Sequence, residues 1–242
     1  MARPFLAAAW RNLLMANYAI DPAILQPFVP CHTELDTFEG VHYVSLVGFL
    51  FENTRVRGLS LPYHRTFEEV NLRFYVRYRE GNEWKRGVVF MKEIVPRPLI
   101  TFVANTVYGE KYATHPMRHE WRSSPEGLHV SYEWKVGKTW NYLRALAATE
   151  PQLIVAGSAE EFITEHYWGY TSVNKACTGV YEVQHPKWRV HPVHRYEIEC
   201  STAALYGAAF AEPLAQTPRS VFLAEGSAIQ VMPGAKMYAA KR

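Results

Sequence analysis

Phe67-Glu68-Glu69-Val70-Asn71-Leu72-Arg73-Phe74-Tyr75-Val76 alternates apolar and polar residues with a period of two from Glu69 onward. A strand turns successive side chains to opposite faces, so this run predicts a strand with Val70, Leu72, Phe74 and Val76 on one side. The other side carries Glu69, Asn71, Arg73 and Tyr75. A carboxylate, an amide and a guanidinium in one row beside a phenol either line a polar pocket or face water. In a pocket wall, Arg73 would hold an anion and Glu69 would orient it or move a proton. On a solvated face the same residues would form a cross-strand ion pair of little energetic weight.

Outward from this strand, Glu80-Gly81-Asn82-Glu83 predicts a turn and Trp84 to Val95 a returning hairpin partner. Strict alternation there groups Lys92 with Val88, Phe90 and Ile94, and Glu93 with Val89, Met91 and Val95. Either charge among such neighbours is costly unless it is paired, hydrogen-bonded or at the rim of the strand. A desolvated Lys92 would have a lowered pKa and serve as an amine nucleophile. On the other side of the opening strand, residues 41–51 are apolar on both faces and predict a strand covered on both.

Residues 98–108 predict a buried helix, opened by Pro98 and capped by Gly109. Strands are expected at 112–122, 128–136, 178–185, 193–200 and 219–231. Ser158-Ala159-Glu160-Glu161 reads as a capping box for a helix over 159–167. Asp21-Pro22 starts a shorter one, and Trp10, Leu13 and Leu14 suit a short amphipathic segment before it. Residues 139–157 give no clear period. No repeat or linker interrupts the chain, which predicts one domain over 1–242, α+β and mainly β, built on a largely antiparallel sheet or barrel.

Composition bounds the function. The 242 residues are 48% hydrophobic and 14% aromatic, enough for a sizeable core, and the net charge of +3 is dispersed without a basic stripe, against nucleic-acid binding. Cys31, Cys177 and Cys200 are odd in number and form no CxxC pair, which points to a reducing compartment rather than a disulfide framework. No apolar run reaches the ~20 residues of a membrane span. Arg11-Asn12 breaks the apolar start at once, so a retained, cytoplasmic N-terminus is expected. His115/His119 and His191/His194 lack the companions of a metal-ligand set, and no metal is expected. Neither GxSxG nor a glycine-rich phosphate loop occurs, so no nucleotide or other cofactor is expected.

Several segments in order resemble the DUF2071 (YqjF-like) family, whose fold is related to acetoacetate decarboxylase. They are Trp10 with Leu13-Leu14, Leu35-Asp36-Thr37-Phe38-Glu39-Gly40, Glu69-x-Asn71-x-Arg73-x-Tyr75-Val76, Gly157-Ser158 through His166-Tyr167, and Val183-x-His185-Pro186-x-Trp188. The resemblance covers most of the chain. It implies an acetoacetate decarboxylase-like antiparallel β-barrel or cone with a few peripheral helices and a closed interior cavity into which polar residues point.

The decarboxylases place adjacent lysines after a helix and a Gly-x-Pro turn, one of them forming a Schiff base. Here the matching stretch is Gly109-Glu110-Lys111-Tyr112-Ala113, with Lys111 at the proline position and Tyr112 and Ala113 at the lysine positions. Standard Schiff-base decarboxylation is therefore not implied. The expected site has Glu69, Arg73 and Lys92 as catalytic candidates, and Asn71, Tyr75, Glu93, Lys111 and Tyr112 as ligand-binding candidates. The expected partner is a small carbonyl or carboxylate compound, with no nucleic acid and no membrane, and with homo-oligomerisation open. An enzyme, a ligand carrier or sensor, and a structural barrel filled by side chains all remain open on the sequence.

Overall fold

A computed structural model describes residues 3–60, 62–107 and 109–238. The first half of the chain supplies strands β1 (Leu6–Ala19), β2 (Glu34–Leu35), β3 (Tyr43–Val56), β4 (Phe67–Glu80) and β5 (Glu83–Val95). The middle adds β6 (Tyr112–Thr114), β7 (Met117–Ser124), β8 (Gly127–Val136), β9 (Thr139–Ala147) and β10 (Gln152–Leu153). The last part adds β11 (Trp168–Asn174), β12 (Cys177–Gln184), β13 (Arg189–Glu199), β14 (Ser220–Val231) and β15 (Ala235–Tyr238). Helices are short: α1 (Pro22–Leu25), α2 (Pro98–Val107), α3 (Ala159–Thr164), α4 (Thr202–Tyr206) and α5 (Ala211–Ala215).

The strands β12, β11, β5, β4, β3, β1 and β14 pair in that order, and β14 pairs back to β12, which closes a ring. The remaining arm, β13-β9-β8-β7, leaves from β14 and folds over the outside of the ring. Most ladders are antiparallel, as expected, but β5 runs parallel to both β6 and β11. Two apolar cores result. The outer one packs Val70, Leu72, Phe74 and Val76 of β4 against Val130, Tyr132, Trp134 and Leu143 of the arm. The inner one fills the ring with Phe49, Phe51, Phe67, Val88, Phe162 and Trp188. Close approach of arm and ring depends on Gly48, where a Cβ would sit 2.8 Å from the Tyr132 ring.

The opening strand and its hairpin appear where the sequence placed them, and β3 is buried on both faces. Asp21 caps α1, its carboxylate accepting from Ala23 N at 2.8 Å. Ser158 caps α3, but Glu161 reaches Gly157 N rather than Ser158 N, and the helix ends at Thr164.

Two expectations are corrected, and three stretches left without an expectation are assigned. Residues 6–19 form a long ring strand rather than an amphipathic segment, since Arg11 and Asn12 lie at a β-bulge and Asn12 takes φ +50°. Asparagine tolerates that left-handed conformation, so a sequence interruption becomes a bend in a continuous strand. The helix at 98–107 contains no buried residue, and Phe102 is 67% exposed; residue 108 lies outside the described residues. Residues 139–147 are strand β9, whose alternating burial was obscured by Arg144 among apolar residues. Strand β11 and the helices near 202–215 had no sequence expectation. Among the described residues no helix is long and apolar enough to cross a membrane.

Candidate functional site

Strand β4 carries polar side chains inward because its apolar face is already claimed by the arm. Glu69, Asn71, Arg73 and Tyr75 are all at least nine-tenths buried. Inside the ring lies a cavity of about 140 Å³, lined among others by Glu69, Asn71, Arg73, Glu93, Glu110 and Tyr112. Trp10, Phe49, Trp188 and His185 supply its aromatic wall. Helix α2 contributes Ile100, Val103 and Ala104 to the lining.

Glu93 enters this wall through a bulge. Arg73 pairs with Phe90, yet Leu72 pairs with Lys92, so Met91 is an extra residue in β5. The faces exchange at that point. Glu93 lies opposite Asn71 on the cavity side, whereas Lys92 lies opposite Leu72 on the outer-core side and does not line the cavity. The expected grouping of Lys92 with Val88 and Phe90 is therefore reversed.

Lys111 also stands outside the cavity lining. It is exposed and rests over the Phe28 ring at 5.8 Å, because alternation around 110–112 sends Glu110 and Tyr112 inward and Lys111 outward. Tyr75 is buried behind the cavity rather than in it. Its hydroxyl is 2.6 Å from Ser45 Oγ, which donates to Asn17 Oδ1. No lysine among the described residues lines the cavity.

The carboxyls lie within one electrostatic group. Glu69 accepts from Asn71 Nδ2 and from Tyr112 OH, each at 2.9 Å, the pattern suited to a carboxylate. Burial pushes its pKa up, Asn71 and Tyr112 pull against that, and Glu110 adds to it, leaving about 7. Glu110 is raised to about 7 by burial, against the pull of Thr171, Tyr181 and Lys111. Burial, with Glu110 and Glu69 nearby, raises Glu93 well above the ordinary carboxylate range. Burial and these acids also raise Tyr112 and Tyr181, keeping both phenols protonated and able to donate.

Arg73 is the cationic element of the wall. One terminal nitrogen reaches Ile163 O at 3.4 Å and Met15 Sδ at 3.9 Å, while its Nε has no partner. It forms no ion pair among the described residues.

Behind it, His166 holds the end of α3. Its Nδ1 is 2.6 Å from Phe162 O and its Nε2 3.1 Å from Asp36 Oδ2. Burial lowers the His166 pKa and Asp36 opposes that. Both partners accept hydrogen bonds, so the contacts are fully met only when both ring nitrogens carry protons. Burial alone would raise Asp36, but hydrogen bonds from His166 and Arg86 hold its carboxyl well below the usual range.

The sequence reading missed Glu110, Tyr181, His166, His185, Trp10 and Trp188 as cavity residues. The two-residue spacing of Glu110 and Tyr112 was a usable signal, masked by attention to Lys111 between them. Among the described residues no three of His, Cys, Asp and Glu converge as a metal-binding group.

Residues 7–228 match the DUF2071 family, described as an uncharacterized conserved protein. The uncharacterized protein YqjF of Bacillus subtilis (strain 168) is 34% identical over 112 residues. That match spans 46% of this chain and 45% of YqjF, less than half of the relative's length. Among solved structures, acetoacetate decarboxylase from Legionella pneumophila superposes with a TM-score of 0.66 at 11% identity, over 98% of this chain and 88% of that one. The enduracididine biosynthesis enzyme MppR, complexed with pyruvate, gives 0.66 at 12% identity over 98% and 91%. An acetoacetate decarboxylase-like enzyme from Sphingomonas wittichii RW1 gives 0.65 at 13% over 99% and 95%. At such identities the likeness establishes the fold.

Proposed function

This chain belongs to the DUF2071 family, and we propose that its ring cavity receives a small carboxylate-bearing carbonyl compound and catalyses proton transfer on it. Arg73 carries the reading. A guanidinium that is 9% exposed, with Nε unpartnered and no ion pair among the described residues, is a costly group unless an anion joins it. A carboxylate is the matching ligand group for a guanidinium fork. The cavity of about 140 Å³ admits a compound of a few heavy atoms, since a cavity of about 150 Å³ accommodates benzene. A fold neighbour, MppR, is complexed with pyruvate.

The acids favour an enzyme over a passive carrier. Groups with pKa values near 7 exchange protons most readily at neutral pH. Glu69, already oriented by Asn71 and Tyr112, would take a proton from the carbon next to the carbonyl. A neutral Glu93 or Glu110 would give a proton to the carbonyl oxygen, so keto and enol forms interconvert. A Schiff base has no amine here, because Lys92 and Lys111 stand outside the cavity lining.

The test is deuterium exchange at C3 of 2-oxobutyrate, followed by proton NMR, with borohydride added to a parallel sample. The reading expects exchange that Glu69→Gln and Arg73→Met both lose, and no lysine adduct by mass spectrometry. Binding without exchange would assign a carrier, and a trapped lysine adduct would overturn the lysine-free chemistry.

A further inference from the structure

Apart from Thr54 Oγ1, a hydroxyl that can donate or accept, the unpartnered buried atoms lining the cavity fall into two sets. Arg73 Nε and Trp10 Nε1 are donors without an acceptor. Asn71 Oδ1, Glu93 Oε2 and Glu110 Oε1 are oxygens without a donor. The Asn71 amide has a fixed sense, because its Nδ2 donates to Glu69 Oε1, so its orphaned atom is an acceptor. Asn71 stands opposite Glu93 in the β4–β5 ladder, and Glu93 opposite Tyr112 in the β5–β6 ladder. Glu110 is two residues before Tyr112 and lines the same cavity. The three oxygens thus belong to one wall.

We infer that the ligand of this cavity is a small zwitterion, an amino acid or related amino-carboxylate, whose ammonium group meets Asn71, Glu93 and Glu110 while its carboxylate meets Arg73. The inference rests on the carboxylate reading above, and it sets an amine against the acids where that reading sets the ligand's carbonyl. An ammonium has three N–H donors, enough to meet Asn71 Oδ1, Glu93 Oε2 and Glu110 Oε1. A 2-oxo acid offers that wall only acceptors, which leaves Asn71 Oδ1 without a donor. A positive charge would also relieve the crowding of Glu69, Glu93 and Glu110, whose burial beside one another disfavours ionisation.

Calorimetric titration of the whole chain with alanine, pyruvate and propionate, which share a three-carbon acid skeleton, separates the possibilities. Alanine is expected to bind at least about tenfold more tightly than pyruvate or propionate. Titrations in buffers of different ionisation enthalpy should show proton release on alanine binding, because the ammonium draws the neutral acids into their charged form. Glu93→Gln should shrink the preference for alanine over pyruvate to about threefold or less. Pyruvate or propionate binding as tightly as alanine would overturn the amine and leave the carboxylate reading standing. If none of the three binds, both fail.

Discussion

Asn71 on β4 and Glu93 on β5 face each other across the ladder and share the cavity, because one extra residue at Met91 shifts the register between Phe90 and Lys92. With strict alternation from Phe90, Lys92 would point inward and Glu93 outward. A single bulge therefore exchanges an amine for an acid in the wall. In the proposed function that acid serves proton transfer, where an amine would have served iminium formation.

The clustered acids make stability fall as pH rises. A buried acid whose folded pKa exceeds its unfolded value binds more protons when folded, so stability is lost as the unfolded chain ionises first. For Glu69 and Glu110 the loss runs from about pH 4.5 to about 7. Each contributes at most on the order of 3 kcal/mol over that range. Thermal melts between pH 5 and 8 should show a falling Tm, with a shallower slope in Glu110→Gln.

Asp36→Asn should act in the opposite sense. Its carboxylate, 1% exposed, joins Arg86 at 2.7 Å and the equally buried His166 at 3.1 Å. Removing the charge strands His166 and loosens the end of α3, where Ile163 O contacts Arg73. A loss of roughly 2–4 kcal/mol is expected, read from the urea midpoint and m-value. Because the folded pKa of Asp36 is lowered, its contribution is present above the ordinary carboxylate range and fades as pH falls below that range through the depressed folded value.

Tyr112→Phe removes the hydroxyl that donates to Glu69 Oε2. A hydrogen bond to a charged acceptor contributes about 1.5–3 kcal/mol, and its loss also raises the Glu69 pKa further. Urea denaturation at pH 8 reads the first effect, and carboxyl NMR titration of Glu69 reads the second.

Much of this architecture was legible in the sequence, and the part that was not has a common cause. Period two assigned Val70 and Leu72 to one face and Asn71 and Arg73 to the other, as the structure has them. It did not say which face meets water; here neither does, because the β8–β9 arm covers the apolar side and the ring encloses the polar one. Bulges at Asn12 and Met91 break the period that the reading depends on, and two of the misplacements, the N-terminal segment and the face of Lys92, fall there. Tyr181 and His166 come to the site through long-range ring closure, which no local pattern encodes.

Gly169 tests the ring closure directly. It pairs with Tyr181, and a Cβ at Gly169 would enter the Tyr181 ring, with the hydroxyl 2.6 Å away. Gly169→Ala should displace Tyr181 from Glu110 and cost about 1–3 kcal/mol. Thermal denaturation reads the cost, and a weaker response to added alanine or pyruvate reads the damage to the cavity.

The most direct test of the anion-binding cavity is a pair of calorimetric titrations, wild type and Arg73→Met, each with pyruvate and with alanine. Both ligands carry the carboxylate, so both should weaken by at least about tenfold in the variant, whose apolar side chain removes the buried guanidinium. Equal affinity of the two proteins for both ligands would contradict the role given to Arg73, and with it the proposed site.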